Sequence, residues 1–186
     1  MALLLNEDEK MLQDSAAGFF STEAPVSQLR TLRDTRDEIG YDPKLWADMA
    51  DMGFTGVLVS EDQGGVDMGF MAAGLIAEQM GRNLSASPYL STAVLAVTAL
   101  KHADEKMAAQ FLPDILAGKS VFALAVDEGR KHDPDGITMS ATPSGNGFKL
   151  NGKKAMVVDG HVADQIIVAA QTDCGLSLFV VPSNAN

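Results

Sequence analysis

The chain has 186 residues, 46% of them hydrophobic, and a formal net charge of -11, which suits one sizeable domain or two small ones with a real core. That charge, with no long Lys/Arg run, argues against nucleic acid or an anionic membrane surface as the main partner, and a single cysteine, Cys174, leaves no internal disulfide. No apolar run approaches the ~20 residues that span a bilayer. Met1 to Leu5 meets Glu7, Asp8 and Glu9 without a basic segment, so it is not read as a signal peptide, and the cytoplasm is the expected compartment.

Asn6 followed by Glu9 has the spacing of a capping box, and Met11, Leu12, Ala16, Phe19 and Phe20 recur at helical intervals, predicting a first helix to about Ser21. After Pro25 a weaker pattern through Val26, Leu29 and Leu32 dissolves into the charged run Arg33 to Glu38, read as a solvated loop or helix face. Asp42-Pro43 places a capping carboxylate before a first-turn proline, and Leu45, Trp46, Met49 and Met52 form one stripe closed by Gly53. Phe54 to Val59 is apolar and tolerant of β structure. The loop Ser60 to Gly65 that follows is read as a plain turn in preference to a ligand approach. A helix is predicted over Met68 to Met80 with Gly81 as its cap, another from Ser87-Pro88 that is apolar nearly all round, and one from Asp104 that Pro113 kinks or restarts before Gly118.

From Ser120 the period changes. Val121 to Val126, Ile137 to Thr142, Phe148 to Leu150, Lys153 to Val158, Gln165 to Ala170 and Leu176 to Val181 read as six short strands of an antiparallel unit. Asn151-Gly152 is read as a type I′ hairpin turn, because both residues tolerate positive φ. The expected fold is α+β: an N-terminal all-α helical domain over residues 1–119 and an antiparallel β domain, incomplete, over residues 120–186.

Chemistry-bearing motifs are sparse. His102, His132 and His161 stand far apart, with no metal-ligand spacing, and no Gly-x-Ser-x-Gly elbow, phosphate loop or dinucleotide fingerprint follows a strand. Trp46 and most methionines lie on helix stripes, where packing accounts for them. Cys174 has no cationic neighbour in sequence and is read as inert. The residues by themselves stop short of a reaction.

Taken together, Glu61 to Gly65, Phe111-Leu112-Pro113 with Gly118-Lys119, Ala123 to Glu128, Leu150-Asn151-Gly152-x-Lys154 and Ala163-Asp164 resemble, in order and spacing, the first two domains of the acyl-CoA dehydrogenases. The resemblance covers essentially the whole chain. It implies a flavoenzyme in which FAD lies between the middle β domain and a C-terminal helical bundle, and an acyl-CoA thioester is dehydrogenated between its α and β carbons. The catalytic base is expected in that bundle, so no catalytic residue is assigned to this chain, which at about half the family's length reads as a fragment. Val126, Asp127, Met156 and Val158 fall at flavin-facing positions, with Arg130 or Lys131 near the phosphates. Two departures stand out. Asp127 to Pro134 replaces the family's Thr-Glu-Pro-x-x-Gly-Ser-Asp, and Met156-Val157-Val158 replaces Trp-Ile-Thr/Ser. The pattern is similar to the small subunits of heteromeric bacterial acyl-CoA dehydrogenases such as pimeloyl-CoA dehydrogenase. Implied partners are an acyl-CoA substrate, a related subunit or a second copy, and an electron-transferring flavoprotein. The competing expectation is a non-catalytic partner subunit with a degenerate flavin site. A small ligand-binding module unrelated to acyl-CoA follows only if the likeness is accidental.

Overall fold

The computed structural model describes residues 4–185, so the opening Met1 to Leu3 lies outside the described residues. The chain divides into two compact units, Met1–Lys119 and Ser120–Asn186. Among the described residues no helix is long and apolar enough to cross a membrane.

The helical unit begins with α1 (Glu7–Glu23). Its capping box closes in both directions: Asn6 Oδ1 accepts from the Glu9 N–H at 2.8 Å, and the Glu9 carboxylate accepts from the Asn6 N–H at 2.8 Å. These bonds satisfy amide groups that the first turn leaves without helical partners. The buried stripe of α1 carries Ala16 and Phe20, and Phe20 stacks on Phe54 at 5.9 Å while Phe19 meets both rings edge-on. α2 (Val26–Thr35) continues into the charged run and ends at Arg36, which takes a left-handed φ of 54°. α3 (Pro43–Asp51) starts as expected: one Asp42 oxygen accepts from the Lys44 N–H at 2.8 Å, and the other accepts from the Gln28 side chain, tying the cap to α2.

Phe54 to Val59 departs from its β-tolerant reading. It opens with a 3-10 turn at Phe54–Gly56, and all six residues are buried. Its carbonyls find partners in the loop that follows. Val66 N–H donates to Gly56 O, Met68 N–H to Val57 O and Asp67 N–H to Val59 O, so the buried backbone is satisfied without a sheet. The doubled glycine is thus a tight turn packed on its own chain.

α4 (Gly69–Asn83) packs against α1 and runs through Gly81, its left-handed cap falling on Leu84 instead. Gly74 lies exposed in α4 with open space where a Cβ would project. Gly74→Ala is therefore expected to raise stability by about 1 kcal/mol, by removing unfolded-chain entropy, and urea denaturation checks it. The all-round apolar segment after Pro88 is a π-helix, Tyr89–Ala96, that tightens into α5 (Val97–Lys101). Tyr89 is 1% exposed, and burial pushes its hydroxyl well above the usual range. α6 (Glu105–Leu116) accommodates Pro113 inside a continuous helix, and Thr55 Oγ1 donates to the Leu116 carbonyl at its end at 3.0 Å.

The second unit is a five-stranded sheet: β1 (Phe122–Ala125), β2 (Ser140–Ser144), β3 (Gly147–Asn151), β4 (Gln165–Thr172) and β5 (Gly175–Pro182). β4 is central. It pairs antiparallel with β5 along one edge, and on the other edge it pairs with β1 in parallel, Phe122 opposite Gln165 through Ala125 opposite Val168. Farther along that edge β4 pairs in parallel with β2, Ser140 opposite Gln171, and β3 forms an antiparallel hairpin with β2. Helices followed by a sheet is the expected class, but the sheet is mixed, with five strands where six antiparallel ones were expected.

Two local readings account for the difference. The hairpin turn is Gly145-Asn146, with Gly145 at φ 58° as the first central residue. Asn151-Gly152 instead ends β3. Gly152 passes so close to Met139 that a Cβ would sit 3.0 Å from the Met139 Cα. Lys153 to Val158 is not a strand, and left-handed φ values at Met156 (54°) and Asp159 (55°) turn it across the end of β1.

Candidate functional site

The end of β1 is organised by Glu128. Its carboxylate accepts from the Thr138 hydroxyl and N–H, from the Met139 N–H at 2.8 Å and from Lys154 Nζ at 2.9 Å. The Thr138 hydroxyl bond, then Lys154 and the two amides, lower the Glu128 pKa from 4.5 to about 2. Lys154 is nearly buried, its side chain 7% exposed, and also donates to Val126 O at 2.9 Å. With the Ala155 N–H donating to Asp127 O at 2.8 Å, these bonds staple the crossing segment to the end of β1. The staple supports the left-handed backbone at Met156, a conformation that a bulky residue holds only when its surroundings impose it.

An open cavity of about 500 Å³ lies beside this staple. Ala125, Ile166 and Val168 line it from one face of the sheet, and Met139, Met156 and Val157 complete most of an apolar wall. His161 and Gly160 stand at its border.

The residues singled out from the sequence separate into two sets. Val126, Asp127 and Met156 are brought together by the staple. Met156 lines the cavity and is 77% exposed, while Val158 is also exposed but outside the cavity wall. Arg130 and Lys131 lie on the exposed loop that follows β1, with no ion-pair partner among the described residues. Asp127 does not turn its carboxylate toward the cavity. It accepts from the Asp133 N–H at 3.1 Å and meets His132 Nδ1 at 3.1 Å, and these bonds, the amide first, lower its pKa.

Sequence reading did not assign roles to Glu128, Thr138 or Met139, and it placed His132 only where the family's diphosphate-binding Gly-Ser would stand. The Lys154–Glu128 contact spans 26 residues, and no local periodicity reports a pairing at that distance. A sequence signal did exist: an acid just after a buried strand and a lysine just after Asn-Gly. Among the described residues no group of three or more His, Cys, Asp or Glu is placed to hold a metal ion.

Comparison with known proteins bears on what this arrangement belongs to. The acyl-CoA dehydrogenase N-terminal domain profile matches residues 6–119. The chain is 29% identical over 142 residues to acyl-CoA dehydrogenase FadE27 of Mycobacterium tuberculosis, covering 76% of this chain and 37% of that protein. It is 28% identical over 189 residues to the caffeyl-CoA reductase-Etf complex subunit CarC of Acetobacterium woodii, covering 96% and 49%. Among solved structures, a variant of the Tcur3481-Tcur3483 steroid ACAD superposes with a TM-score of 0.86 at 29% identity, over 96% of this chain and 49% of that one. The ChsE4-ChsE5 complex of Mycobacterium tuberculosis superposes with a TM-score of 0.87 at 25% identity, over 99% and 49%. The chain thus spans half or less of the length of each of these proteins. With the profile matched across the helical unit and solved relatives superposing on nearly every residue, the chain belongs to the acyl-CoA dehydrogenase family.

Proposed function

We propose that this chain supplies the N-terminal helical and middle β portions of an FAD-dependent acyl-CoA dehydrogenase acting between the α and β carbons of an acyl-CoA thioester. The observation that carries the reading is the apolar cavity at the end of β1, with Met156 held exposed beside it by the Lys154–Glu128 staple. FAD suits the residues present in two respects. Met156, Val158 and the cavity wall offer apolar surface to a flat ring, and Arg130 and Lys131 offer uncompensated positive charge to a diphosphate. The carboxylates that would oppose the diphosphate, Asp127, Glu128 and Asp133, each accept hydrogen bonds from within the chain.

When bound, FAD supplies the acceptor for the substrate hydrogen that leaves as hydride. The chain's own part is to hold and orient. Val126, Met156 and Val158 would offer apolar surface to the ring and Arg130 and Lys131 would hold the phosphates, while the base is expected in a C-terminal helical bundle, so no catalytic residue is assigned to this chain. On this reading the protein works in the cytoplasm, partners a related subunit or a second copy, and passes electrons to an electron-transferring flavoprotein. The likeness to CarC, named as a subunit of an Etf complex, supports the last of these.

A second reading is favoured by Met156-Val157-Val158 and by the two-component names of the steroid ACAD and ChsE4-ChsE5 relatives: a non-catalytic subunit whose flavin is held by its partner. Titrating FAD into the purified chain, alone and mixed with a related acyl-CoA dehydrogenase subunit, and reading absorbance near ~450 nm separates the two. Flavin retained by the chain alone supports the first reading, flavin retained only by the pair supports the second, and flavin retained by neither sinks both. The chain alone is expected to show no dehydrogenase turnover with an acyl-CoA and an electron acceptor.

A further inference from the structure

By count alone, the loop after β1 repels an anion. From Asp127 to Asp133 it carries three carboxylates, Asp127, Glu128 and Asp133, against Arg130 and Lys131. Each of the three carboxylates nevertheless accepts hydrogen bonds from within the chain. Glu128 is held by Lys154, Thr138 and Met139. Asp133 accepts from the Gly136 N–H at 3.1 Å. Asp127 accepts from the Asp133 N–H and meets His132 Nδ1, each at 3.1 Å, while its own carbonyl is held by the Ala155 N–H. Its side chain is 21% exposed against 73% for His132. Arg130 and Lys131 remain exposed between the two ends of this closure.

We propose that Asp127 and His132 form a latch that closes the loop Asp127 to Asp133 and presents Arg130 and Lys131 together to a diphosphate. Asp127 is then a positioning residue and does not face the flavin ring. The identity of the diphosphate rests on the FAD reading above, whereas the latch rests on the loop geometry alone. Charge-assisted hydrogen bonds hold such a loop more firmly than neutral ones. A loop ordered beforehand loses less conformational entropy when the anion arrives.

The test uses the full chain, with Asp127→Ala to remove the latch and Asp127→Asn to keep an oxygen acceptor in its place. Trypsin, which cuts after Arg130 and Lys131, reports whether the loop opens. Titrations with FAD and with riboflavin, which has no phosphate, report whether its cations are presented, and thermal melting confirms that each variant folds. Asp127→Ala is expected to be cut about tenfold faster and to lose about tenfold in FAD affinity with riboflavin affinity unchanged, while Asp127→Asn stays close to the native chain. If Asp127→Ala is cut no faster than the native chain, the latch is wrong whatever the flavins do. Equal losses of FAD and riboflavin affinity overturn the presentation of the cations. A native chain that binds neither flavin, while Asp127→Ala still opens the loop, removes the FAD reading and supports the latch.

Discussion

Replacing Lys154 with methionine lowers the melting temperature at neutral pH by roughly 10 °C. The substitution keeps the apolar stem of a side chain that is 7% exposed but removes the donor to both Val126 O and Glu128. It leaves a carboxylate near the interior facing only neutral donors, and an unpaired charge there is more damaging than the loss of an exposed ion pair. The effect carries a pH signature. The Glu128 pKa is lowered from 4.5 to about 2 in the folded chain, so its contribution is fully present above its unfolded value and is lost as pH falls through the folded one. The gap in melting temperature between native chain and Lys154→Met is therefore expected to hold above about pH 4.5 and to shrink toward about pH 2. Circular-dichroism melts across that range check it, and a gap that stays constant down to the acid end refutes the assignment.

Gly65→Ala is expected to destabilise the helical unit by about 3 kcal/mol. A Cβ at Gly65 would lie 2.1 Å from the Val59 carbonyl oxygen and 2.5 Å from its carbon, and these are backbone atoms that cannot rotate aside. The same turn supplies the amides that satisfy Gly56, Val57 and Val59, so relieving the clash also loosens bonds to buried carbonyls. Gly74→Ala is the control for the generic effect of the substitution, since it meets no atom within 4 Å. If urea denaturation shows Gly65→Ala within about 1 kcal/mol of the native chain, the close-packed turn is not rigid.

Helix starts were legible from local chemistry. Asn6 with Glu9, Asp42 with Pro43, and Asp104 each make their cap within three residues, and such bonds form wherever the chain is helical. Where equally good local signals compete, the sheet decides between them. Gly145-Asn146 and Asn151-Gly152 both carry turn chemistry. Only the first becomes the hairpin, because β2 must also meet β4 at Gln171 and Gly152 must pass against Met139. The parallel pairing of β1 with β4 joins residues 43 positions apart along the chain, Phe122 opposite Gln165. A run of apolar residues marks such a strand as buried without naming its neighbour.

The candidate site divides in the same way. Val126, Met156 and the loop cations were singled out through the resemblance, and the structure places Met156 in the cavity beside Ala125 at the end of β1. Which way Asp127 faces was not reachable, because its partners His132 and Asp133 act through a loop closure. The amino-acid sequence by itself determined the capped helix starts and the change of period at Ser120, which rest on neighbours a few positions apart, and the family likeness, which rests on the order of short motifs. Only the tertiary structure decided the mixed sheet, the staple of Lys154 on Glu128 and the hydrogen-bond partners of the loop carboxylates. Each of these is a contact between segments that the chain brings together only when it folds, and its energy comes from burial and charge pairing that no local pattern encodes.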